Sequence, residues 1–283
     1  MWSPLLFIVP RARRCAAPVV RRAVSLALLI GFSFFGCAEP PTVPRAPESA
    51  QPSLSPSSEV LASTAYYSQE YSWYSGRTAT NMGSTTGRVC FLTEVAGTFS
   101  TSNRWVHVYS SYGSWYLYGS PVGVRATARC SNAYSYTAEY SWYQGSNPTY
   151  MGSIYGRACF LTRVGGQFTQ STTQRVEVYS GNSTSWWLGG SSTWFGVHAR
   201  ARCIIYPPVG PQQPYGYTGW VTSSSGPRVL QQTTWACYLA GVSGALDLPQ
   251  YSFVRVYTSG SWWFVIARGD GARNAAKAGC TSV

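Results

Sequence analysis

The chain has 283 residues, of which 16% are aromatic and 11% charged, and with its abundant Gly, Ser, Thr and Tyr this is the usage of a strand-and-turn protein and not of a helical one. The formal charge of +12 overstates the mature chain, because Arg11, Arg13, Arg14, Arg21 and Arg22 lie in the leader; without them 16 basic residues face 9 acidic ones, a balance of +7. Lys277 is the sole lysine, so there is no flexible lysine-rich arm to track a phosphate backbone, and nucleic acid is not an expected partner.

Residues 1–36 carry a basic stretch ending in Arg21-Arg22 and then an uncharged run from Ala23 to Gly36. The run falls short of the ~20 residues of a spanning helix and matches the apolar core of a signal peptide. An apolar patch from Met1 to Pro10 is foreign to such a leader, and a start at Val19 or Val20 is expected. The run ends in Gly36-Cys37-Ala38-Glu39, where a small residue before Cys resembles the lipobox of bacterial lipoproteins; Phe34 and Phe35 depart from its usual Leu and small residue. The resemblance implies lipidation at Cys37 and a membrane anchor there, on the outer membrane or cell surface, with a periplasmic or released protein as the alternative. Residues 38–64 are rich in Pro, Ser, Ala and Glu and have no aromatic residue. They cannot bury enough surface to offset the entropy of ordering, so 37–64 is expected to be a disordered tether.

Internal repetition organises the remainder. Tyr71-Ser-Trp-Tyr returns as Tyr140-Ser-Trp-Tyr, and Gly87-Arg-Val-Cys-Phe-Leu-Thr as Gly156-Arg-Ala-Cys-Phe-Leu-Thr. Val106-His-Val-Tyr-Ser, Val176-Glu-Val-Tyr-Ser and Val254-Arg-Val-Tyr-Thr correspond, and Trp73, Trp142 and Trp220 each stand 17 residues before the first Cys of their copy. Three repeats follow, at 65–135, 136–204 and 217–283, the last two separated by a Pro-rich linker at 205–216. Each holds two cysteines, and units that repeat should close within themselves in an oxidising compartment. The expected bridges are Cys90–Cys130, Cys159–Cys203 and Cys237–Cys280, each worth about 4 kcal/mol in the chain-entropy model. No copy has the spacing of a metal site, and no cofactor is expected.

Runs such as Trp105-Val-His-Val-Tyr alternate with period two between Gly and Ser clusters. In the first copy strands are expected at Glu70 to Tyr74, Arg88 to Glu94, Gly97 to Ser100, Arg104 to Ser110, Ser114 to Gly119 and Gly123 to Cys130. The expected fold is all-β: three tandem small antiparallel β-sandwich or barrel modules, each with one internal disulfide. The first two can pack together while the third stands apart, with a closed threefold β-trefoil as the alternative.

Chemistry is sparse. Glu70 and Glu139 are equivalent positions, replaced by Tyr217 in the third copy, and suit a module feature better than an acid–base pair. His107 alternates with valines and is expected to face solvent. Arg129 and Arg202 adjoin the second Cys of their copies and are expected to cover the bridge. Nothing resembles a nucleophile elbow, and no enzyme is expected. In Trp115-Tyr116, Trp186-Trp187 and Trp262-Trp263, adjacent rings on a strand must point to opposite faces, so one of each pair is expected near the surface. Such rings suit stacking on sugars. The expected function is an exported cell-envelope or surface binding protein for a glycan or another envelope component, the alternatives being a structural or adhesive protein and a secreted hydrolase or hydrolase inhibitor.

Overall fold

The computed structural model describes residues 67–169, 173–193, 196–206, 215–248, 251–269 and 273–282; the leader, Cys37 and the tether lie outside them. The described residues are almost wholly strand and turn, with no α-helix. Repeat 1 comprises β1 (Tyr71–Tyr74), β2 (Thr80–Ser84), β3 (Arg88–Gly97), β4 (Trp105–Ser111), β5 (Ser114–Gly119) and β6 (Val124–Asn132). Repeat 2 comprises β7 (Ser135–Tyr136), β8 (Tyr140–Tyr143), β9 (Thr149–Ser153), β10 (Arg157–Gly165), β11 (Arg175–Ser180), β12 (Ser185–Ser191) and β13 (His198–Ile205). Repeat 3 comprises β14 (Tyr215–Tyr217), β15 (Val221–Thr222), β16 (Arg228–Gln232), β17 (Trp235–Ser243), β18 (Phe253–Ser259), β19 (Trp262–Arg268) and β20 (Ala275–Ser282).

Two of the expected local features differ. β2 was not legible as a strand because its middle is a bulge at Met82-Gly83 with a single apolar residue to mark it. Gly97 to Ser100 is not a strand: β3 ends at Gly97, whose φ of 105° belongs to glycine. A Cβ at Gly97 would lie 2.2 Å from the Gly123 carbonyl oxygen, and the equivalent Gly166 and Gly244 are as tightly held. Past Gly97 the backbone leaves its own sheet. Phe99 N–H donates to Leu246 O at 2.6 Å, and Phe168 N–H donates to Phe99 O at 2.7 Å.

All sheet pairings are antiparallel, and each repeat contributes to two sheets. One part is a core, β1-β6-β3 in repeat 1, β8-β13-β10 in repeat 2 and β15-β20-β17 in repeat 3. The other is a hairpin with an edge strand, β2-β5-β4, β9-β12-β11 and β16-β19-β18, which joins the core of the following repeat. β4 pairs with β10, β11 with β17, and β18 returns to β3, so the three sheets close into a ring. The repeats are therefore three disulfide-closed β modules that share their sheets. The third does not stand apart, because it supplies one strand partner to repeat 1 and takes one from repeat 2.

The residue after the first Cys of each repeat marks the centre. Phe91, Phe160 and Tyr238 are fully buried, with ring centroids 5.6, 5.7 and 5.5 Å apart, edge to face or tilted. Each ring contributes about 1.5–3 kcal/mol by leaving water, with a further increment from the ring geometry. All three expected bridges are present, joining cysteines directly opposite in the ladders β3–β6, β10–β13 and β17–β20. Bridges of this kind form and persist in oxidising compartments, which fits an extracytoplasmic setting.

Candidate functional site

Alternation along the hairpins decides which rings are available. On β5, β12 and β19 the inward residues Trp115, Trp186 and Trp263 are at most 2% exposed. Their indole N–H groups donate to Arg88 O at 3.1 Å, Arg157 O at 3.2 Å and Trp235 O at 2.8 Å. These three rings are core, with no face left for a ligand. The outward neighbours pair across the hairpin: Tyr109 stacks with Tyr116 at 5.6 Å and Tyr257 with Phe264 at 5.5 Å. In repeat 2 Tyr179 lies opposite Trp187, which meets Tyr150 edge-on at 5.3 Å. Pro148, Tyr179, Gly181, Asn182 and Trp187 line an open depression of about 380 Å³.

The third repeat corrects the expected register by one residue. Trp263, not Trp262, is equivalent to Trp115 and Trp186, as its indole bond shows. Trp262 is half-exposed opposite Ser259 at the hairpin tip, and the outward ring is Phe264. Adjacent rings look alike in the sequence, and only the burial pattern distinguishes which of them turns inward.

A polar cluster lies where the repeat 1 hairpin meets the repeat 2 core. Glu139 accepts from His107 Nε2 at 2.9 Å, Thr162 Oγ1 at 2.7 Å and Arg200 Nη1 at 2.9 Å. Burial alone would raise the Glu139 carboxyl, but these donors outweigh it and hold it at about 2. Burial lowers His107, which is neutral at neutral pH and donates to the carboxylate. His107 is thus a buried junction residue and not the solvent-facing one expected from its strand pattern. Burial, with Arg163, Arg200 and His107 nearby, also lowers His198, to about 4. The equivalent Glu70 pairs with Arg255 at 2.7 Å and Arg129 at 3.6 Å. Glu70 and Glu139 are held in different sheets, each by its own cations.

Arg129 and Arg202 do not cover the bridges. Their guanidinium groups lie over Trp263 at 5.4 Å and Trp115 at 5.5 Å, rings supplied by the preceding hairpin. In repeat 3 Gly279 stands there, and the Tyr217 ring takes the place, 4.7 Å from Trp186. Arg157 Nη1 donates to Met151 O at 2.8 Å.

Fold and surface together define a closed ring of three disulfide-bridged β repeats carrying a related pair of aromatic rings on the outside of each hairpin. No family model, curated protein or solved structure matches the chain.

Proposed function

We propose that the protein is an exported cell-envelope or surface binding protein whose three outer ring pairs, Tyr109/Tyr116, Tyr179/Trp187 and Tyr257/Phe264, bind carbohydrate or another envelope component. The observation that carries this reading is the recurrence of an outward ring pair on every hairpin, although packing uses only the inward neighbour. Flat aromatic faces bordered by Ser, Gly and Asn suit the apolar faces of sugars with hydroxyl contacts at the rim. Three platforms on one ring give avidity to weak single contacts when the ligand is a polymer. The leader, lipidation of Cys37 and the 37–64 tether place these platforms clear of the membrane in this reading, facing the envelope or the exterior.

The test is binding of the oxidised protein to a panel of glycans and peptidoglycan, beside a Tyr116→Ala/Trp187→Ala/Phe264→Ala triple variant. Binding is expected for the parent and lost in a variant that keeps its melting temperature. A parent that binds nothing on the panel, or a folded variant that binds as well, would sink the proposal.

A further inference from the structure

The sheet shared by repeats 1 and 2 differs in charge from its two counterparts. Across four strands the outer residues run Trp105, Gly165, His198 and Tyr143 in one row and His107, Arg163, Arg200 and Ser141 in the next. The His198 ring lies over Gly165, where a Cβ would be 2.3 Å from its Nε2, and its centroid is 5.9 Å from that of Tyr143. His198 Nδ1 faces Gly196 O at 3.1 Å and so carries the proton, while Nε2 is buried against Gly165 without a partner. Arg163 lies 4.5 Å over the Trp105 ring. Among the described residues no carboxylate pairs with Arg163, and its Nε is buried without a partner.

The equivalent positions are neutralised otherwise. Glu94 stands for Arg163 in repeat 1 and pairs with both Arg125 and Arg255; Gly241 stands there in repeat 3, beside a Lys277 paired with Glu177. Arg163 has the Trp105 ring and the more distant Glu139 charge to offset Arg200, but no carboxylate in direct contact. A direct anionic partner would strengthen its position, and the planar fork suits a carboxylate. Beside it Tyr143, half-exposed, offers a ring face.

We propose that this face binds an acidic saccharide of the uronic-acid type, with the carboxylate on Arg163 and the sugar ring on Tyr143. The proposal rests on the carbohydrate reading above and adds to its ring platforms a site of defined charge class.

The experiment titrates the oxidised protein with hexagalacturonate and with its methyl ester, at about 0.05 M and about 0.5 M salt. The acid form is expected to bind about tenfold more tightly at low salt, with the margin shrinking at high salt. Arg163→Gln abolishes the margin, Arg163→Lys keeps part of it, Tyr143→Ala weakens both ligands, and Arg228→Gln on the distant β16 changes nothing. Melting curves of each variant establish that it is folded. Equal binding of acid and ester, or a margin that survives Arg163→Gln, overturns the acidic site and leaves the carbohydrate reading standing. Failure of both forms overturns the acidic site as well, and failure of the neutral panel alongside overturns the carbohydrate reading with it.

Discussion

His107 Nε2 lies 2.9 Å from the Glu139 carboxylate and ties the repeat 1 hairpin to the repeat 2 core; at the other two junctions the equivalent residues are Glu177, 3.0 Å from Lys277, and Arg255, 2.7 Å from Glu70 and 3.2 Å from Glu94. The junctions share a geometry and differ in charge, which disfavours some wrong pairings by repulsion. The repeat 2 hairpin seated on the repeat 1 core would set Glu177 against Glu94, and the repeat 3 hairpin on its own core would set Arg255 against Lys277. Glu177→Lys should therefore destabilise by about 2–3 kcal/mol, since it opposes Lys277 in a mostly buried pair. Adding Lys277→Glu should recover over half of that loss. Urea unfolding of both single variants and the double variant measures the coupling, and purely additive effects would refute the pairing.

Sharing of sheets makes the repeats interdependent. A chain cut after residue 206 loses β18 from the side of β3 and β17 from the side of β11, exposing two interior edges. Such a fragment is expected to lack a cooperative melt, whereas the full protein unfolds in one transition. Replacing Cys237 and Cys280 together by serine should lower the stability of the whole ring by up to about 4 kcal/mol, not that of repeat 3 alone. Calorimetry of fragment and bridge variant decides this; a fragment melting near the parent temperature would show the repeats to be independent.

What could be read in the sequence was whatever repeats within a copy. The bridges, the strands around Trp105 to Tyr109 and the outward neighbours of Trp115 and Trp186 follow from spacing and period two, whereas Phe264 beside Trp263 does not. The exchange of hairpins between repeats could not be read, because a hairpin seated on its own core or on the next one gives the same local pattern. His107 shows why the polar site was missed: a histidine between valines looks solvent-facing until the strand beside it is known to carry Arg163, with Glu139 reaching in. A signal was present in retrospect, since the varying residue of Val-His-Val, Val-Glu-Val and Val-Arg-Val differs in charge at each copy while its neighbours stay constant.

The adjacent rings of each hairpin should separate cleanly under mutation. Trp186→Ala removes a buried ring and its indole bond to Arg157 O and is expected to cost about 3–5 kcal/mol. Trp187→Ala, one residue on and on the outer face, should cost about 1 kcal/mol or less while removing the repeat 2 platform. In repeat 3 the order reverses, with Trp263→Ala severe and Trp262→Ala mild. Chemical denaturation of the four variants checks the assignment, and a mild Trp263→Ala would return that ring to the candidates for ligand contact.

Acid should weaken the ring in two stages that belong to different residues. His198 is held at about 4 against a usual 6.5, because burial disfavours its cation and Arg163 and Arg200 oppose it. Between those values the unfolded chain carries a proton that the folded one does not, so stability falls as pH drops from about 6.5 towards about 4. His107, also lowered by burial, contributes in the same direction. Glu139, held at about 2 against 4.5, adds stability that is present above pH 4.5 and is lost as the pH falls towards 2. For the partly exposed His198 the upper stage is on the order of 2 kcal/mol. His198→Gln should therefore flatten, without abolishing, the decline between pH 6.5 and 4 and leave the lower stage in place. Unfolding free energies measured in urea at several pH values give both slopes, and a variant whose upper slope equals that of the parent would show that His198 titrates normally in the folded ring.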